Sequence, residues 1–297
     1  MINSSQCFRF RKSEWLIIAF FTYIVGLSPF FPNRPNLRDQ PLLVLAVVVA
    51  ILASLARVQS TGHARLIGII RDWLPIALTL VAFREMELFL PSHFIIHYET
   101  QWLEQDRLLL ETWHLRASIE ALGKFIPTYL EFCYLLVYGL PFYCVSMLYI
   151  KRRRETIDFF LSIYFVGTLG AYALFPFFPS RPPRLLFPSV DPPRITTWVR
   201  EFNLYVLHKG TIHVGVFPSA HASSAFAAAW AMFFLFPQRK VIGGTLLAYA
   251  ISVSIAAIYG RYHYTADVIA GFGVSLIAGL VCIAWGRYGR ASSLAAP

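Results

Sequence analysis

The sequence predicts an all-α fold: a polytopic membrane helical bundle of about eight transmembrane helices, with one interfacial amphipathic helix. Of the 297 residues, 57% are hydrophobic and only 14% are charged, which is too apolar for a soluble domain of this length. Apolar runs long enough to cross about 30 Å of hydrocarbon recur along the chain, with polar residues between them. The predicted spans cover residues 15–32, 41–56, 66–84, 126–150, 158–178, 217–236, 240–259 and 264–285.

The first two spans carry few polar side chains, so residues 1–65 are predicted to form N-terminal membrane anchor helices. The basic residues before the first run resemble a signal peptide, but no small-residue cleavage pattern follows, which favours a retained span. In the third span, Asp72 is expected at the helix cap and Pro75 in the first turn, where proline is tolerated.

Two segments between spans have a composition of their own. Residues 98–125 mix Trp102 and Trp113 with leucines and charges, and this mixture predicts an amphipathic helix in the outer interface. Residues 179–215 are basic and rich in proline, which is typical of an ordered loop and not of a regular helix.

The formal net charge of +10 is explained by topology better than by nucleic-acid binding, because no compact basic domain is present to hold a nucleic acid. Placing both termini and residues 151–154 in the cytoplasm satisfies the positive-inside rule. We therefore expect an integral protein of a bacterial inner membrane, with residues 287–297 as a cytoplasmic tail. The outer side keeps a cluster of cations that calls for an anionic ligand: Arg181, Arg184, Arg194, Arg200 and Lys209.

The motif GRYHYTAD, at residues 260–267, precedes and enters the last span. His263 and Asp267 are four residues apart, a spacing that on a helix lets the carboxylate reach a ring nitrogen. Such a pair fixes the tautomer of the histidine, which can then act as a nucleophile or a base. The plainer alternative is an interfacial histidine beside a chance carboxylate, but ionisable groups inside apolar spans are costly and usually functional.

The motif PSAH, at residues 218–221, begins another predicted span. A helix that starts here leaves its first N–H groups unpaired and directs its positive dipole end outward, which is a suitable place for a phosphate. His221 then lies in the first turn and is positioned to give a proton to a leaving oxygen. The alternative is that Ser219 is a simple N-cap with a solvated histidine nearby.

The motif SRPPR, at residues 180–184, holds Arg181 and Arg184 between prolines at the end of the fifth span. Guanidinium groups bind phosphate through two parallel hydrogen bonds. The alternative is simple anchoring to anionic lipid head groups. Together, the three motifs contain the parts needed for phosphoryl transfer through a phosphohistidine, and neither a metal nor another cofactor is predicted.

PSAH and the HxxxD of GRYHYTAD, in this order on successive membrane helices, resemble the second and third motifs of the type 2 phosphatidic acid phosphatase and vanadium haloperoxidase superfamily. FPSRPPRLL and HYTAD are more similar to its inositol phosphorylceramide synthase-like branch. The resemblance covers roughly residues 70–285, and it implies a six-helix phosphatase-like core within residues 66–286.

The resemblance also implies roles for individual residues. His263 would be the nucleophile that forms a phosphoenzyme, with Asp267 orienting it and His221 as general acid and then general base. Ser219 and the neighbouring backbone N–H groups, including that of Ala220, would bind the phosphoryl oxygens. Arg184 would be the main phosphate-binding side chain, with Arg181 and Arg261 as further candidates.

The chain departs from the wider superfamily at three positions. Leu174 stands where the first motif has lysine, Ala220 where the second commonly has glycine, and two alanines at 256–257 where the third usually has Ser-Arg. Two familiar phosphate-binding cations are therefore missing, and Arg184 and Arg261 are candidates to replace them. These departures favour the synthase-like branch over simple phosphatidic acid hydrolysis.

The sequence thus predicts an enzyme that transfers a phosphoryl group or phospho-head-group from a lipid phosphate or phospholipid, in the bilayer and at its outer face. Water as acceptor would make it a lipid phosphatase, and a lipid hydroxyl a phosphotransferase. The alternative is a non-enzymatic anion or lipid transporter or binding protein. Transporters, however, place polar groups near the bilayer midplane, whereas these motifs gather at one end of the last four spans.

Overall fold

The computed structural model describes residues 9–31, 37, 39–60, 64–89, 91, 96, 98–210 and 215–294. This part of the chain forms thirteen α-helices joined by short 3-10 and π-helical turns, and it contains no β-strand. In chain order the helices are α1 Lys12–Leu27, α2 Gln40–Ser60, α3 Ala64–Glu85, α4 Glu99–Arg107, α5 Leu115–Glu120, α6 Phe125–Leu136, α7 Leu140–Ile150, α8 Ile157–Tyr172, α9 Pro183–Leu186, α10 Trp198–Gly210, α11 Ala220–Leu235, α12 Lys240–Tyr259 and α13 Thr265–Leu294.

Seven helical segments in the described residues are long and apolar enough to cross a membrane, which confirms the predicted polytopic bundle. They are Lys12–Phe30, Gln40–Gln59, Arg65–Phe89, Phe125–Ile150, Arg154–Phe177, Lys240–Tyr259 and Thr265–Trp285. The remaining predicted span is helix α11, which has 16 residues and is therefore only about 24 Å long.

Helix α11 lies at the centre of the bundle, in contact with α8, α12 and α13. From Ala222 onward its alanines are almost fully buried, and small side chains of this kind allow neighbouring helix backbones to approach closely. A Cβ added at Gly167 of α8 would lie 2.6 Å from the Cβ of Ala227, so the two helices touch there. The short central helix is thus held in place by the helices around it.

The predicted cap at Asp72 is wrong, because α3 begins at Ala64 and both Asp72 and Pro75 lie inside the helix. The Asp72 carboxylate accepts hydrogen bonds from Arg11 Nη1 at 2.6 Å and from Arg154 Nε at 2.7 Å. Apolar residues before Asp72 extend the helix backwards, and the carboxylate serves to join chain segments that are far apart in sequence.

A second buried ion pair lies beside Asp72. Arg71, which is 4% exposed, donates to the two carboxylate oxygens of Glu14 at 2.7 and 2.5 Å. Asp158 at the start of α8 accepts hydrogen bonds from the backbone N–H and hydroxyl of Ser13. We call these side chains, together with Arg11, Asp72 and Arg154, the α1–α3–α8 polar cluster. It fixes the first helix to the rest of the bundle.

Residues 98–125 do not form the single interfacial helix that their pattern predicts. Helices α4 and α5 are separated by a π-helical turn at Leu108–Thr112 and by His114, which has a left-handed φ of 56°. Two acidic side chains of α4 face protein, since Glu99 is 3% and Asp106 is 0% exposed, and Trp102 stacks on Phe217 at 5.1 Å. Part of the amphipathic pattern therefore reflects contacts of Asp106 and Trp102 with the loops before α11 and α13.

The predicted proline-rich loop also contains regular structure. Its proline-free end forms α10, a 13-residue helix, while the proline-dense part contains only the four-residue α9. Helix α10 packs against α6. At the other end of the chain, α13 continues through Leu294 into the predicted cytoplasmic tail.

Candidate active site

The start of α11 and the first turns of α13 are in backbone contact. The N–H of Ser219 donates to the carbonyl of Asp267 at 2.8 Å. A Cβ added at Gly271 would lie 2.3 Å from the carbonyl oxygen of Ser219, so only glycine permits this approach. These contacts bring PSAH and GRYHYTAD together, in agreement with their predicted position at the same end of the last spans.

A carboxylate and two imidazoles form a chain at this junction. His263 Nδ1 lies 3.2 Å from Asp267 Oδ2, and His263 Nε2 lies 3.4 Å from His221 Nδ1. The N–H of Tyr264 donates to the same Asp267 oxygen at 2.9 Å, which holds the carboxylate in place. A proton on Nδ1, bonded to the carboxylate, leaves Nε2 of His263 with its lone pair.

The predicted i, i+4 contact is therefore present, although His263 lies in the turn before α13 and not on the helix itself. His263 is 5% exposed. Burial lowers the pKa of His263 to about 3, and the positive charge of Arg184 acts in the same direction. The imidazole is thus neutral at ordinary pH, as a nucleophilic nitrogen must be.

The plane of His221 is fixed by an aromatic stack. Tyr262 lies on Tyr134 with a 4.0 Å distance between ring centroids, and Tyr134 lies on the ring of His221 at 4.9 Å. The edge of Tyr138 adds a third contact, at 5.2 Å. The orientation of His221 therefore depends on α6, on the turn after it and on the turn before α13.

One buried carboxylate, that of Glu131 on α6, holds the far end of this stack. It accepts hydrogen bonds from Tyr262 Oη at 2.6 Å, Arg200 Nη1 at 2.9 Å and Asn203 Nδ2 at 2.7 Å. Sequence reasoning missed Glu131, although a lone carboxylate in the apolar run FIPTYLEFCYLL is a signal for a buried partner.

A second missed carboxylate, that of Asp106 on α4, holds the GRYHYTAD turn. Its Oδ2 accepts from Arg261 Nη1 at 2.7 Å, and its Oδ1 accepts from the N–H of Thr265, the first residue of α13, at 2.8 Å. Arg261 has a left-handed φ of 60°, and its carbonyl accepts from the N–H of Arg184 at 3.1 Å. Asp106 thus fixes both sides of His263.

The two histidines line a cavity of about 330 Å³. Arg184 and Ala220 share this lining, and most of the remaining wall is aromatic or aliphatic and comes from α3, α6, α7, α8 and α10. Near the histidines, the cavity is therefore basic, and the rest of it suits an apolar molecule.

The other predicted phosphate-binding residues lie elsewhere. Ser219 is 0% exposed and acts as the N-cap of α11, with its Oγ accepting from the N–H of Ala222 at 3.3 Å. Arg181 is half-buried and is not part of the lining of the histidine cavity. Arg261 is paired with Asp106 and lines a neighbouring cavity. The structure thus places Arg184, but not the other two arginines, beside the histidines.

These features define a class: an integral membrane protein of bundled helices, with a His–Asp pair facing a second histidine at one end of the bundle. The chain belongs to the PAP2 superfamily, whose family model matches residues 102–281, more than half of its length. Membership supports an enzyme with phosphatase-type activity on lipid phosphoesters. Comparisons with curated proteins and with solved structures gave no significant match.

Proposed function

We propose that this protein transfers a phosphoryl group or phospho-head-group from a lipid phosphoester through a phosphohistidine at His263, without a metal ion. The observation that carries the proposal is the position of His263. Its Nδ1 is bonded to Asp267, its Nε2 faces His221, and Arg184 lines the same cavity.

In the first half of the reaction, the lone pair of His263 Nε2 attacks phosphorus while the bond from phosphorus to the leaving oxygen breaks. His221, acting as a general acid, gives its proton to that oxygen. Arg184 and the first N–H groups of α11 stabilise the charge on the non-bridging oxygens. Because the two ring nitrogens are only 3.4 Å apart, phosphoryl binding has to separate the rings.

In the second half, an acceptor hydroxyl attacks the phosphohistidine and gives its proton to His221. The P–N bond breaks, and its electron pair returns to Nε2, which restores the enzyme. Water as acceptor gives a phosphatase, and a lipid alcohol gives a phosphotransferase. The motif FPSRPPRLL and the missing superfamily cations favour the synthase-like branch, and hence a lipid alcohol.

A lipid substrate suits the walls of the cavity. Leu80 of α3 and Phe142 of α7 line it, and both side chains are also exposed on the outside of the bundle, by 59% and 41%. A lipid lying in the bilayer would enter sideways between these helices, with its apolar part against the aromatic wall and its phosphate near Arg184. We place this site on the extracytoplasmic side, because the positive-inside rule puts residues 151–154 in the cytoplasm.

The test uses purified protein with labelled lipid phosphates and phospholipids, with and without lipid alcohols. Free phosphate as product identifies a phosphatase, and a new phospholipid identifies a transferase. A labelled enzyme that loses its label in acid and keeps it in alkali is expected for a phosphohistidine.

The variants His263→Ala and His221→Ala should both lose turnover, and His263→Ala should also lose the label. The matched control is His114→Asn, because His114 is exposed and asparagine tolerates its left-handed backbone. Full turnover in either active-site variant would disprove the mechanism. Lipid binding without turnover in the unmodified protein would instead favour a transporter or lipid-binding protein.

A further inference from the structure

A further cavity, of about 250 Å³, lies at the end of the bundle opposite to the two histidines. Its wall comes from the segment after α7, through Lys151 and Arg153, and from the segment between α11 and α12, residues 236–239. Helix α11 begins at the histidine cavity and ends at this wall, so its 16 residues separate the two sites by about 24 Å. We call this space the basic cavity.

The charges of the basic cavity do not balance. It is lined by Lys151, Arg153 and Arg239, and none of the three forms an ion pair with a residue that the structure describes. Glu155, the nearest acidic residue in the sequence, is exposed and lies outside the lining. The ends of α7 and α11 contribute only about half a negative charge each, so an excess of about two positive charges remains.

The backbone after α7 holds two of these cations in fixed positions. The N–H of Arg153 donates to the carbonyl of Leu148 at 2.8 Å, and the N–H of Arg152 donates to that of Tyr149 at 3.0 Å. These two bonds define a Schellman motif, whose left-handed residue is usually glycine. Here that residue is Arg152, with a φ of 56°. A cation beside the cavity thus occupies a position where the backbone favours glycine, which indicates a use for its charge.

The cations of the wall differ in their contacts. Arg153 is held by α11, because its Nη1 donates to the carbonyl of Leu235 and its guanidinium lies over the ring of Phe236, 5.1 Å from the centroid. The side chains of Lys151 and Arg239 are exposed and make no hydrogen bond to any residue in the described part of the chain. Their donors are therefore available to a ligand.

The basic cavity lies at the level of lipid head groups. Lys151 directly follows one membrane-crossing segment, and Arg239 directly precedes another. Beside these cations, the apolar side chains of Ile150 and Val241 are exposed by 76% and 79%. The volume of about 250 Å³ is below the roughly 300–1,000 Å³ of sites for drug-sized molecules, so the cavity suits a head group and not an acyl chain.

We propose that the basic cavity binds the phosphate of an anionic phospholipid in the leaflet opposite to the active site. The phosphate accepts charge-assisted hydrogen bonds from Lys151 and Arg239, and the acyl chains lie outside the cavity, on Ile150 and Val241. Basic pockets between membrane helices are suited to such head groups. The positive-inside rule makes this leaflet the cytoplasmic one. Because this lipid is bound and not consumed, the inference does not depend on the proposed function.

Photochemical labelling in a bilayer tests the site. His263→Ala protein, which lacks the proposed nucleophile, is reconstituted in phosphatidylcholine with a trace of phosphatidylglycerol that carries a photoreactive group near its glycerol. Adducts are mapped by peptide mass spectrometry. We expect labels to be enriched on residues 150–153 and 236–241, and to disappear when unlabelled phosphatidylglycerol is added. No enrichment on these two segments, or equal enrichment with photoreactive phosphatidylcholine, would overturn the inference.

A matched pair of variants tests the role of the cavity wall. Arg239→Gln removes a cation of the wall, and Arg65→Gln removes an exposed cation outside it. Both lie at the same end of the bundle, because a Cβ added at Gly68, about one turn after Arg65, would lie 2.7 Å from a guanidinium nitrogen of Arg154. Labelling should fall about fivefold in Arg239→Gln, the factor expected for one cation beside an anionic lipid, and stay unchanged in Arg65→Gln. An equal fall in both variants would indicate diffuse attraction and contradict a cavity site.

Two further measurements complete the test. Lys151→Gln removes a cation from the other segment of the wall and should lower labelling by the same factor, so unchanged labelling in both wall variants would refute the proposal. Glycerol phosphate, present on both sides of the bilayer, should leave labelling unchanged, because it lacks acyl chains to lie on Ile150 and Val241. If it removes the label as effectively as the intact lipid, the cavity binds a dissolved phosphate ester, and the assignment to a lipid is wrong.

Discussion

Replacement of Glu131 by glutamine should destabilise the protein and disturb the active site together. The Glu131 side chain is 3% exposed and that of Arg200 is 11% exposed, so their ion pair is buried. Glu131→Gln keeps the shape of the side chain but leaves the Arg200 guanidinium without an anion. Loss of one partner of a buried ion pair typically costs about 3–5 kcal/mol.

The substitution Tyr262→Phe, which is a smaller change, gives a reference for the destabilisation expected in Glu131→Gln. Tyr262→Phe removes one hydrogen bond to Glu131, that of 2.6 Å, and preserves the ring stacked on Tyr134. A single hydrogen bond to a charged group contributes about 1.5–3 kcal/mol. Burial, and then the charge of Glu131, raise the pKa of Tyr262 well above its ordinary value, so the phenol remains a donor at any assay pH. Glu131→Gln should therefore cost more than Tyr262→Phe.

The free energy of unfolding is measured by titrating the protein from mild detergent into a denaturing one, with tryptophan fluorescence as the signal. The double variant should be less destabilised than the sum of the two single variants, because both changes weaken the same interaction between Tyr262 and residue 131. In parallel, the rate of phosphoenzyme formation should fall in Glu131→Gln, since His221 loses the support of the stack. Full additivity, or an unchanged rate in Glu131→Gln, would refute the reasoning.

Three further predictions follow from the same geometry. Gly271→Ala should slow turnover and destabilise the protein by about 1–3 kcal/mol, because the new methyl group would displace Ser219. The control is Gly273→Ala, where a methyl group meets open space. Equal effects of the two substitutions would argue against the Gly271–Ser219 contact. Asp267→Asn should lower the rate of phosphoenzyme formation by roughly 10²–10⁴-fold, as in other enzymes that lose the carboxylate orienting a catalytic histidine. The rate is measured by stopped-flow labelling. A smaller loss would show that the Asp267 carboxylate does not orient His263. The pKa of His263 is about 3 in the folded protein and about 6.5 in the unfolded chain, so between these values the unfolded chain binds one proton more. The free energy of unfolding should therefore fall as the pH drops from about 6.5 toward 3. His263→Ala should lack this contribution, and identical pH profiles of unfolding for the two proteins would contradict it.

Local patterns predicted the parts of the site that lie close together in sequence. His263 and Asp267 are four residues apart, and this spacing brings the carboxylate to a ring nitrogen. The four residues of PSAH likewise predict the start of a helix, and α11 begins within them. The apolar spans could likewise be found by length and composition. These features depend on interactions within a few turns of helix, and a sequence displays such interactions directly.

The residues that support the site could not be predicted in the same way. Asp106 accepts a hydrogen bond from Arg261, which lies 155 residues away in the sequence. Glu131 accepts one from Tyr262, which lies 131 residues away. A lone carboxylate in an apolar run indicates that a partner exists, but not which of many arginines or tyrosines it is. The amphipathic pattern of residues 98–125 is equally ambiguous, because it fits a lipid surface as well as the protein surface that α4 contacts.

The α1–α3–α8 polar cluster has a consequence for any attempt to shorten or exchange the N-terminal region. A chain beginning at residue 64 would retain Arg71 and Asp72 but lose Glu14 and Arg11, so both of these ion pairs would vanish. Asp72 would keep its ion pair with Arg154. An unrelated hydrophobic helix fused in their place would restore membrane anchoring without restoring those partners. In a chimaera, therefore, the N-terminal helix has to carry a carboxylate that reaches Arg71 and a guanidinium that reaches Asp72. Hydrophobicity alone does not make it interchangeable.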